Sequence, residues 1–421
     1  MTVTPLRIGF LTYRGNPHCG GQGVYTRHLT RELAALGHVV DVWSGPPYPR
    51  LDPGVSLRRV PSLDLWNPEA FFRRPRFDEL RDPINLVEWL STITGGFPEP
   101  ITFSWRVARL HRRLPPEARY DVVHDNQCLG DGLLRLQARV PLVATIHHAI
   151  TIDRDIAFQA AQTGLQRMGV NRWYSFIPKQ KRVAARLDCV TTVSRASATD
   201  IERELGVDNA RMRVVENGVD LDVFHPQPQI ERRSDVLMTT ISATAPLKGF
   251  RFLLEAFAAV RAERPSVILK VVGQDGHKAT NRRIAELGLT GAVRFTGPLN
   301  DAEIARAYAE ATLAVVPSLY EGFGLPAAEA MACEVPVVST SAGALPEVIG
   351  PDGEAGVLVP PGSSAALARA IAELLAAPER RRIMGAAGRK RVQSLFTWRR
   401  AAEHITEIYR DLIERRGGGR C

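Results

Sequence analysis

Two glutamates, Glu321 and Glu329, lie eight positions apart in the segment PSLYEGFGLPAAEAMACEVPVVS, which begins at residue 317. The preceding run TLAVVPS has the composition of a buried strand, and Pro326 suits the first turn of a following helix. Glu321 is therefore expected before the helix and Glu329 one turn inside it. A carboxylate so placed can accept two hydrogen bonds from vicinal hydroxyls, which indicates recognition of a sugar or a ribose.

Three glycine-containing turns could bring backbone amides close to an anionic ligand. Gly322 and Gly324 lie between the two glutamates, and Gly20 and Gly21 follow the first predicted strand. A third turn, Pro-Leu-Lys-Gly, holds Lys248, whose ammonium can bind a diphosphate as a point charge. Neither GxGxxG nor GxxxxGK[ST] occurs at these turns, which disfavours a dinucleotide fold and a P-loop.

Short apolar runs alternate with amphipathic helical stretches along the chain, as in parallel sheets covered by helices on both faces. Two series of strands are predicted: LRIGFLTY, VVDVWSG, YDVVHDN, PLVATIHH, CVTTVS and MRVVEN, then VLMTTISA, SVILKVVG, AVRFTG, TLAVVPS and VPVVST. The fold class is therefore α/β, with two doubly wound Rossmann-like domains.

The predicted N-terminal domain covers residues 1–222 and contains a proline- and arginine-rich insertion at 61–119. The predicted C-terminal domain covers 223–396. The last helix, 397–414, is expected to return to the N-terminal domain, and residues 415–421 are expected to be a disordered tail.

Composition narrows the class of protein. The chain has 421 residues, no charged leader, no apolar run long enough for a membrane span, and five scattered cysteines without CxxC spacing, so we expect a cytoplasmic protein with reduced thiols. A net charge of +9 favours acidic partners. Basic residues and aromatics cluster only at FFRRPR, 71–76, so we expect no nucleic-acid partner. The same patch could make peripheral contact with an anionic membrane. The sequence leaves the oligomeric state open.

Two acidic triplets could suggest a metal-dependent transferase: Asp153-Arg154-Asp155 and Asp220-Leu221-Asp222. The first has no glycine-rich or acidic surroundings to complete an oxygen coordination shell. The second lies in the segment that joins the predicted domains. We therefore expect no metal ion and no other cofactor.

Taken together, these motifs resemble those of the family-4 retaining glycosyltransferases, the bacterial group 1 glycosyltransferases of GT-B fold. The matching segments, in order, are Gly20-Gly21, VSRASATDIERELGV (193–207), ENGVD (216–220), Pro-Leu-Lys-Gly, the glutamate pair and GALPEVIG (343–350). The resemblance covers nearly the whole chain except 61–119 and the tail. It implies two domains that face each other across a cleft and close on the donor.

The resemblance also implies an activity: retaining transfer of a hexose from a UDP- or GDP-sugar to a small-molecule or lipid-linked acceptor. The family's proposed route is front-face attack, with the leaving diphosphate helping to deprotonate the acceptor. By resemblance, Lys248 binds the diphosphate, Glu321 contacts the donor sugar near its 3- and 4-hydroxyls, and His147 lies near its 6-hydroxyl. Neither glutamate is expected to act as a general acid.

The donor-binding residues implied by the resemblance are Gly20, Gly21, Asn217, Lys248, Gly322, Phe323, Gly324, Leu325 and Glu329, the last on the nucleotide ribose. One position departs from the family pattern. Many members carry an arginine a few residues before the lysine, whereas residues 242–245 here read Ser-Ala-Thr-Ala. Arg195, Arg251 or helix-terminal amides could replace it.

Three other classes fit parts of the pattern. A sugar-nucleotide epimerase of GT-B fold would act without an acceptor. A glucan phosphorylase would need a pyridoxal-bearing lysine context that the sequence does not show. A non-enzymatic basic protein that binds nucleotides or lipids would use the positive charge alone.

Overall fold

The chain folds into two compact units, each built on its own parallel sheet. The computed structural model describes residues 4–15, 21–67, 72–240, 245–274 and 278–418. The N-terminal unit comprises 1–193, 197–215 and 398–421, and the C-terminal unit comprises 194–196 and 216–397. The sequence analysis placed the boundary at residue 222, whereas contacts within the chain divide it after Val215.

The sheet of the N-terminal unit has seven parallel strands within the described ranges, in the order β3-β2-β1-β4-β5-β6-β7. The strands are β1 Arg7–Thr12, β2 Val39–Ser44, β3 Val55–Arg59, β4 Val122–Asn126, β5 Leu142–Ile146, β6 Cys189–Thr192 and β7 Met212–Val214. Edge strand β3 is absent from the sequence prediction because it is short and its sequence, VSLRR, has only two apolar residues.

Helices cover both faces of this sheet. They are α1 Gly21–Ala35, α2 Phe77–Leu80, α3 Pro83–Ile93, α4 Glu99–His111, α5 Gly132–Gln137, α6 Ile150–Ala160, α7 Gly164–Trp173, α8 Ile177–Ala184, α9 Arg195–Leu205 and α17 Trp398–Gly418. On one face, α1 and α17 bury Leu29, Leu33 and Tyr409 against Phe10 of β1. Each such fully buried apolar side chain stabilises the fold by about 1.5–3 kcal/mol.

The last helix is longer than the sequence analysis predicted. It extends to Gly418, so the predicted disordered tail from residue 415 is wrong for residues 415–418. Arg416 explains the extension, because its guanidinium donates to the carbonyl of Gln137 and pairs with Asp188. Residues 419–421 lie outside the described ranges.

The C-terminal unit repeats the arrangement with a sheet of six parallel strands among its described residues, ordered β10-β9-β8-β11-β12-β13. The strands are β8 Val236–Thr240, β9 Ile268–Val272, β10 Val293–Phe295, β11 Leu313–Val316, β12 Val337–Thr340 and β13 Gly356–Val359, the last not predicted. The helices are α10 Phe250–Glu263, α11 Lys278–Glu286, α12 Asp301–Glu310, α13 Leu325–Ala332, α14 Leu345–Ile349, α15 Ser364–Ala376 and α16 Pro378–Leu395.

Local signals in the sequence set several helix ends. Asn300 accepts from the backbone N–H of Glu303, whose carboxylate accepts from Asn300 in return, which fixes the start of α12. Gly37 adopts φ +92° just after α1, a backbone conformation that suits glycine. Among the described helices, none combines the length and apolar composition needed to cross a bilayer.

Candidate active site

Three loops at the carboxyl edge of the six-stranded sheet interlock through backbone contacts. The loop after β8 is held to the loop after β11 by a hydrogen bond of 2.8 Å from Leu319 N to Leu247 O. The loop after β12 joins the same segment through Ala344 N and Glu321 O, 2.9 Å apart. Ligands of open α/β sheets bind at this edge, so these loops define the candidate site.

Glycine is required where the loops touch. A Cβ on Gly249 would lie 2.0 Å from the carbonyl oxygen of Pro317, and one on Gly343 would lie 2.2 Å from that of Glu321. Both glycines also have positive φ, at +65° and +56°. A side chain at either position would push apart the segments that carry Lys248 and Glu321.

Lys248 and Glu321, predicted separately from the sequence, form an ion pair. Lys248 Nζ donates to Glu321 Oε1 at 2.7 Å, and the hydroxyl of Ser318 donates to the same oxygen at 2.8 Å. The side chains of Lys248 and Glu321 are 28% and 11% exposed, so the pair is largely shielded from water. Thr340 Oγ1 donates to the carbonyl of Ser318 at 2.6 Å and anchors this buried serine in turn.

Glu329 lies in the second turn of α13, among buried alanines of the same helix. Burial and the negative charge of Asp301 raise the pKa of the Glu329 carboxyl to about 8. Among the described residues, none donates a hydrogen bond to this carboxylate, and its side chain is only partly buried. Its oxygens are therefore open to hydroxyl donors from a ligand.

The remaining predicted donor-binding residues fall at several places. Gly322 and Gly324 form the turn before α13, Gly324 with φ +103°, and Leu325 is the first residue of the helix. Phe323 is buried with its ring edge-on to Phe396, 5.4 Å away, so this residue can offer a ligand only its backbone. Asn217 is buried, and its Oδ1 has no hydrogen-bond partner among the residues that the structure describes.

Two parts of the predicted phosphate site lie partly outside the described residues. Gly20 lies outside the described residues, and Gly21 begins α1 with an exposed position. Residues 242–244, where many family members have an arginine nearby, also lie outside. Arg251 is exposed in the first turn of α10, with its guanidinium 4.4 Å from the ring centre of Phe252. The backbone N–H of Arg195 donates to Glu347 at 2.9 Å.

In the N-terminal unit, His147 follows β5 and is held by the end of β4. Its backbone N–H donates to Gln127 Oε1, and its Nε2 lies 2.7 Å from Asn126 Oδ1. Asn126 Nδ2 donates to Gln22 O at 3.1 Å and to Thr26 Oγ1 at 3.0 Å, so Oδ1 is the acceptor toward the histidine.

This arrangement selects one imidazole tautomer of His147. Because Asn126 Oδ1 can only accept, Nε2 of His147 carries the proton and Nδ1 is left as an acceptor. Burial and the neighbouring His148 lower the pKa of His147 to about 3, which keeps the ring neutral at physiological pH. His147 can therefore accept a hydrogen bond from a ligand hydroxyl.

Sequence reasoning missed the two residues that position these groups, Asn126 and Ser318. Each is a polar residue at the carboxyl end of a buried strand, on the same sheet edge as the group it holds. That location was the available signal. The pairing of Asn126 with His147 could not be inferred, because 21 positions separate them, whereas Ser318 lies only three positions from Glu321 in the same loop.

The two acidic triplets make local contacts. Asp153 accepts from His148 Nε2 at 3.1 Å, and Asp155 pairs with Arg154. Asp220 Oδ1 accepts from the backbone N–H of Asp222 at 3.2 Å. Within the described ranges, no three His, Cys, Asp or Glu side chains are grouped as metal ligands.

Two family models match the chain in succession. The model for glycosyltransferase family 4 matches residues 19–223, and the model for glycosyl transferases group 1 matches residues 224–391. The second match contains Lys248, Glu321 and Glu329. The first contains Gly20, Gly21 and His147.

Curated relatives align over almost the full length. An MMP α-(1→4)-mannosyltransferase from Mycolicibacterium hassiacum is 47% identical over 414 residues, covering 97% of this chain and 99% of that protein. A D-inositol 3-phosphate glycosyltransferase from Segniliparus rotundus is 30% identical and covers 96% and 87%.

Solved structures with the same fold include sucrose-phosphate synthase from Thermosynechococcus elongatus, with a TM-score of 0.73 and 26% identity over 97% of this chain and 99% of that one. WaaG, a glycosyltransferase of lipopolysaccharide biosynthesis, has a TM-score of 0.69 at 16% identity, covering 96% and 99%, and supports the fold alone. The fold is thus GT-B, and the chain belongs to the bacterial group 1 glycosyltransferases.

Proposed function

We propose that this glycosyltransferase moves a hexose, with mannose the first candidate, from a nucleoside diphosphate sugar to a hydroxyl group with retention at the anomeric carbon. The observation that carries the proposal is the Lys248–Glu321–Ser318 cluster at the carboxyl edge of the C-terminal sheet. Mannose is the first candidate because a relative 47% identical over nearly the whole chain is named a mannosyltransferase.

The cluster suits a diphosphate and a sugar together. Lys248 Nζ donates one hydrogen bond to Glu321 and keeps two further N–H groups, which can donate to oxygens of a diphosphate. Glu321 Oε1 already takes two donors, so Oε2 remains for a sugar hydroxyl. Glu329, one helical turn into α13, would accept the hydroxyls of the nucleotide ribose.

In this proposal catalysis is electrostatic. Negative charge grows on the departing diphosphate, and the Lys248 ammonium with the amides of the Gly322–Gly324 turn would stabilise it. The proposal assigns that charge-neutralising role to these groups rather than to a metal ion. His147, neutral and with Nδ1 as an acceptor, would orient a hydroxyl of the transferred sugar.

Retention by double displacement needs a free carboxylate beneath the anomeric carbon. Glu321 is a poor candidate, because its Oε1 is held by both an ammonium and a hydroxyl and its charge is neutralised. This pairing favours the front-face route, in which the acceptor attacks from the side that the diphosphate leaves. Neither glutamate then forms a covalent intermediate.

We also propose a cytoplasmic location for the reaction. The described cysteines Cys128, Cys189 and Cys333 are buried free thiols, in keeping with the reduced state that the sequence predicts. The acceptor class is proposed only as a hydroxyl compound, either a free saccharide or a lipid-linked one.

The test is product formation from GDP-mannose, with UDP-glucose and ADP-glucose as competing donors and a panel of mannosides as acceptors. An α-linked product, identified by NMR of the new anomeric proton, would support retaining transfer. A β-linked product would overturn the retaining assignment. Conversion of the donor to an epimer without any transfer product would identify an epimerase instead.

A further inference from the structure

Helix α3, residues Pro83–Ile93, buries polar side chains and exposes apolar ones. Its buried residues are polar, Glu88 and Thr92. Its exposed residues are aliphatic: Leu86 41%, Val87 43%, Leu90 52% and Ile93 49% exposed. A surface helix normally places its apolar stripe toward the core, so this apolar face of four residues, here called the α3 face, is unusual for a monomer.

A buried polar network fixes this orientation. Arg106 of α4 donates to Glu88 Oε2 at 2.5 Å and to Asn85 Oδ1 at 2.6 Å, and Glu88 also accepts from Thr102 and from Leu63 N. Turning α3 to bury its aliphatic side would leave Arg106 buried without a counter-charge, which is strongly unfavourable. The outward α3 face is therefore built into the fold of the N-terminal unit.

Helix α2, which lies against α3, adds a further exposed apolar side chain. Asn85 Nδ2 donates to the carbonyl of Glu79 at 2.9 Å, which places α2 against α3. Phe77, the first residue of α2, is 93% exposed. An apolar centre with few charged residues is typical of homodimer interfaces.

Three ion pairs, here called the rim, lie on neighbouring segments, within residues 73–82 and on α4. Arg73 pairs with Glu79, Arg76 with Asp78 and Arg109 with Asp82. A rim with both signs of charge on the same segment can be complementary to its own copy across a two-fold axis.

An anionic lipid surface fits less well. The sequence analysis allowed contact between residues 71–76 and such a surface, but Arg73 and Arg76 are ion-paired. Arg74 and Arg81 are the exposed arginines of residues 72–93 that lack an ion pair among the described residues. Electrostatic anchoring to lipid normally uses clusters of about four to eight basic residues.

We propose that the α3 face is the interface for a second copy of this chain. The stripe Leu86, Leu90 and Ile93, at helical spacing i, i+4 and i+7, packs on the same stripe of the copy in an antiparallel, two-fold arrangement. A stable dimer needs about 800 Å² from each partner, more than α3 alone offers, so Phe77 and the ion-paired rim belong to the interface as well.

The test is analytical ultracentrifugation of the full chain from nanomolar to high micromolar concentration. We expect a dimer in the wild type and a dissociation constant weakened about 100-fold or more in Leu90→Glu, because an unpaired carboxylate would be buried at the two-fold axis. Ile383→Glu is the matched control, since Ile383 is an aliphatic residue of α16 in the other unit, 56% exposed. It should dimerise like the wild type.

Thermal unfolding of both variants, compared with the wild type, checks that they fold. A second variant, Phe77→Ser, should weaken the dimer without touching α3. A wild type that stays monomeric at high micromolar concentration would overturn the proposal, as would a dimer that both Leu90→Glu and Phe77→Ser leave intact. Co-sedimentation of a monomeric wild type with vesicles of phosphatidylserine, lost in Leu90→Glu, would assign the face to lipid instead.

Discussion

Replacing Ser318 with alanine should lower kcat/KM for the donor while the protein stays folded. The Ser318 hydroxyl donates to Glu321 Oε1, the oxygen that also holds Lys248. A hydrogen bond to a charged group contributes about 1.5–3 kcal/mol. If that energy positions the pair for the transition state, its loss lowers kcat/KM by about 10- to 100-fold, since each 1.36 kcal/mol is a factor of ten.

The assay is steady-state release of nucleoside diphosphate, with kcat and KM determined separately. Ser339→Ala is the matched control: Ser339 is also buried, lies in the adjacent strand β12, and donates to a neutral acceptor, Val316 O, at 3.1 Å. It should cost about 1 kcal/mol of stability and leave kcat unchanged. Ser318→Thr keeps the hydroxyl and should recover part of the activity.

Equal kinetics in Ser318→Ala and wild type would refute the reasoning, because the serine would then have no part in positioning Glu321. Equal losses in Ser318→Ala and Ser339→Ala would also refute it. That result would trace the loss to general loosening of the sheet edge.

Four further predictions concern the loops of the C-terminal site and the residues around His147. Glu321→Ala should mainly lower kcat and Glu329→Ala should mainly raise the donor KM, as steady-state kinetics would show; the reverse pattern would exchange their roles. Because burial and Asp301 raise the pKa of Glu329 to about 8, and the ionised carboxylate is the better acceptor, the donor KM should fall as the pH rises through about 8 and level off above that pKa, a dependence that Glu329→Gln should lack. Asn126→Ala should lower kcat and shift His147 toward the Nδ1–H tautomer, which ¹⁵N NMR of the imidazole would detect; an unchanged tautomer would remove Asn126 from its positioning role. Gly343→Ala should destabilise the protein by about 2–3 kcal/mol in denaturant unfolding, since its Cβ would meet the carbonyl of Glu321 at positive φ.

Much of the fold follows from the sequence. Valine-rich runs separated by amphipathic stretches predicted most strands of both sheets, because parallel strands buried on both faces are almost continuously apolar. The missed strands, β3 and β13, are short strands at the edges of their sheets. The residues of β3 are partly or fully exposed, so its apolar signal is weak, and β13 has only four residues.

The sequence misleads where tertiary contacts override periodicity. Apolar residues at helical spacing normally face the core, yet the Glu88–Arg106 pair turns Leu86, Val87, Leu90 and Ile93 outward. A partner 18 residues away, fixed by a separate helix, leaves no trace in the local pattern.

The site shows the same limit. The types and spacing of Lys248, Glu321 and Glu329 predict groups for an anion and for vicinal hydroxyls, and the resemblance to the family adds the nucleotide sugar as the expected ligand. The bond between Lys248 and Glu321 spans 73 positions and depends on Gly249 and Gly343 letting three loops meet. The order of the strands in the sheet brings these loops together, so neither composition nor residue spacing reveals the contact.

The most direct test of the central claim is release of nucleoside diphosphate from a panel of GDP-, UDP- and ADP-sugars by purified wild type and Lys248→Ala. We expect slow release from one donor, faster with an acceptor, and a loss of about 100-fold or more in Lys248→Ala, comparable to removing a transition-state charge stabiliser. Release that Lys248→Ala leaves unchanged would contradict the account. So would a wild type that neither releases diphosphate from any of these donors nor is stabilised by binding them.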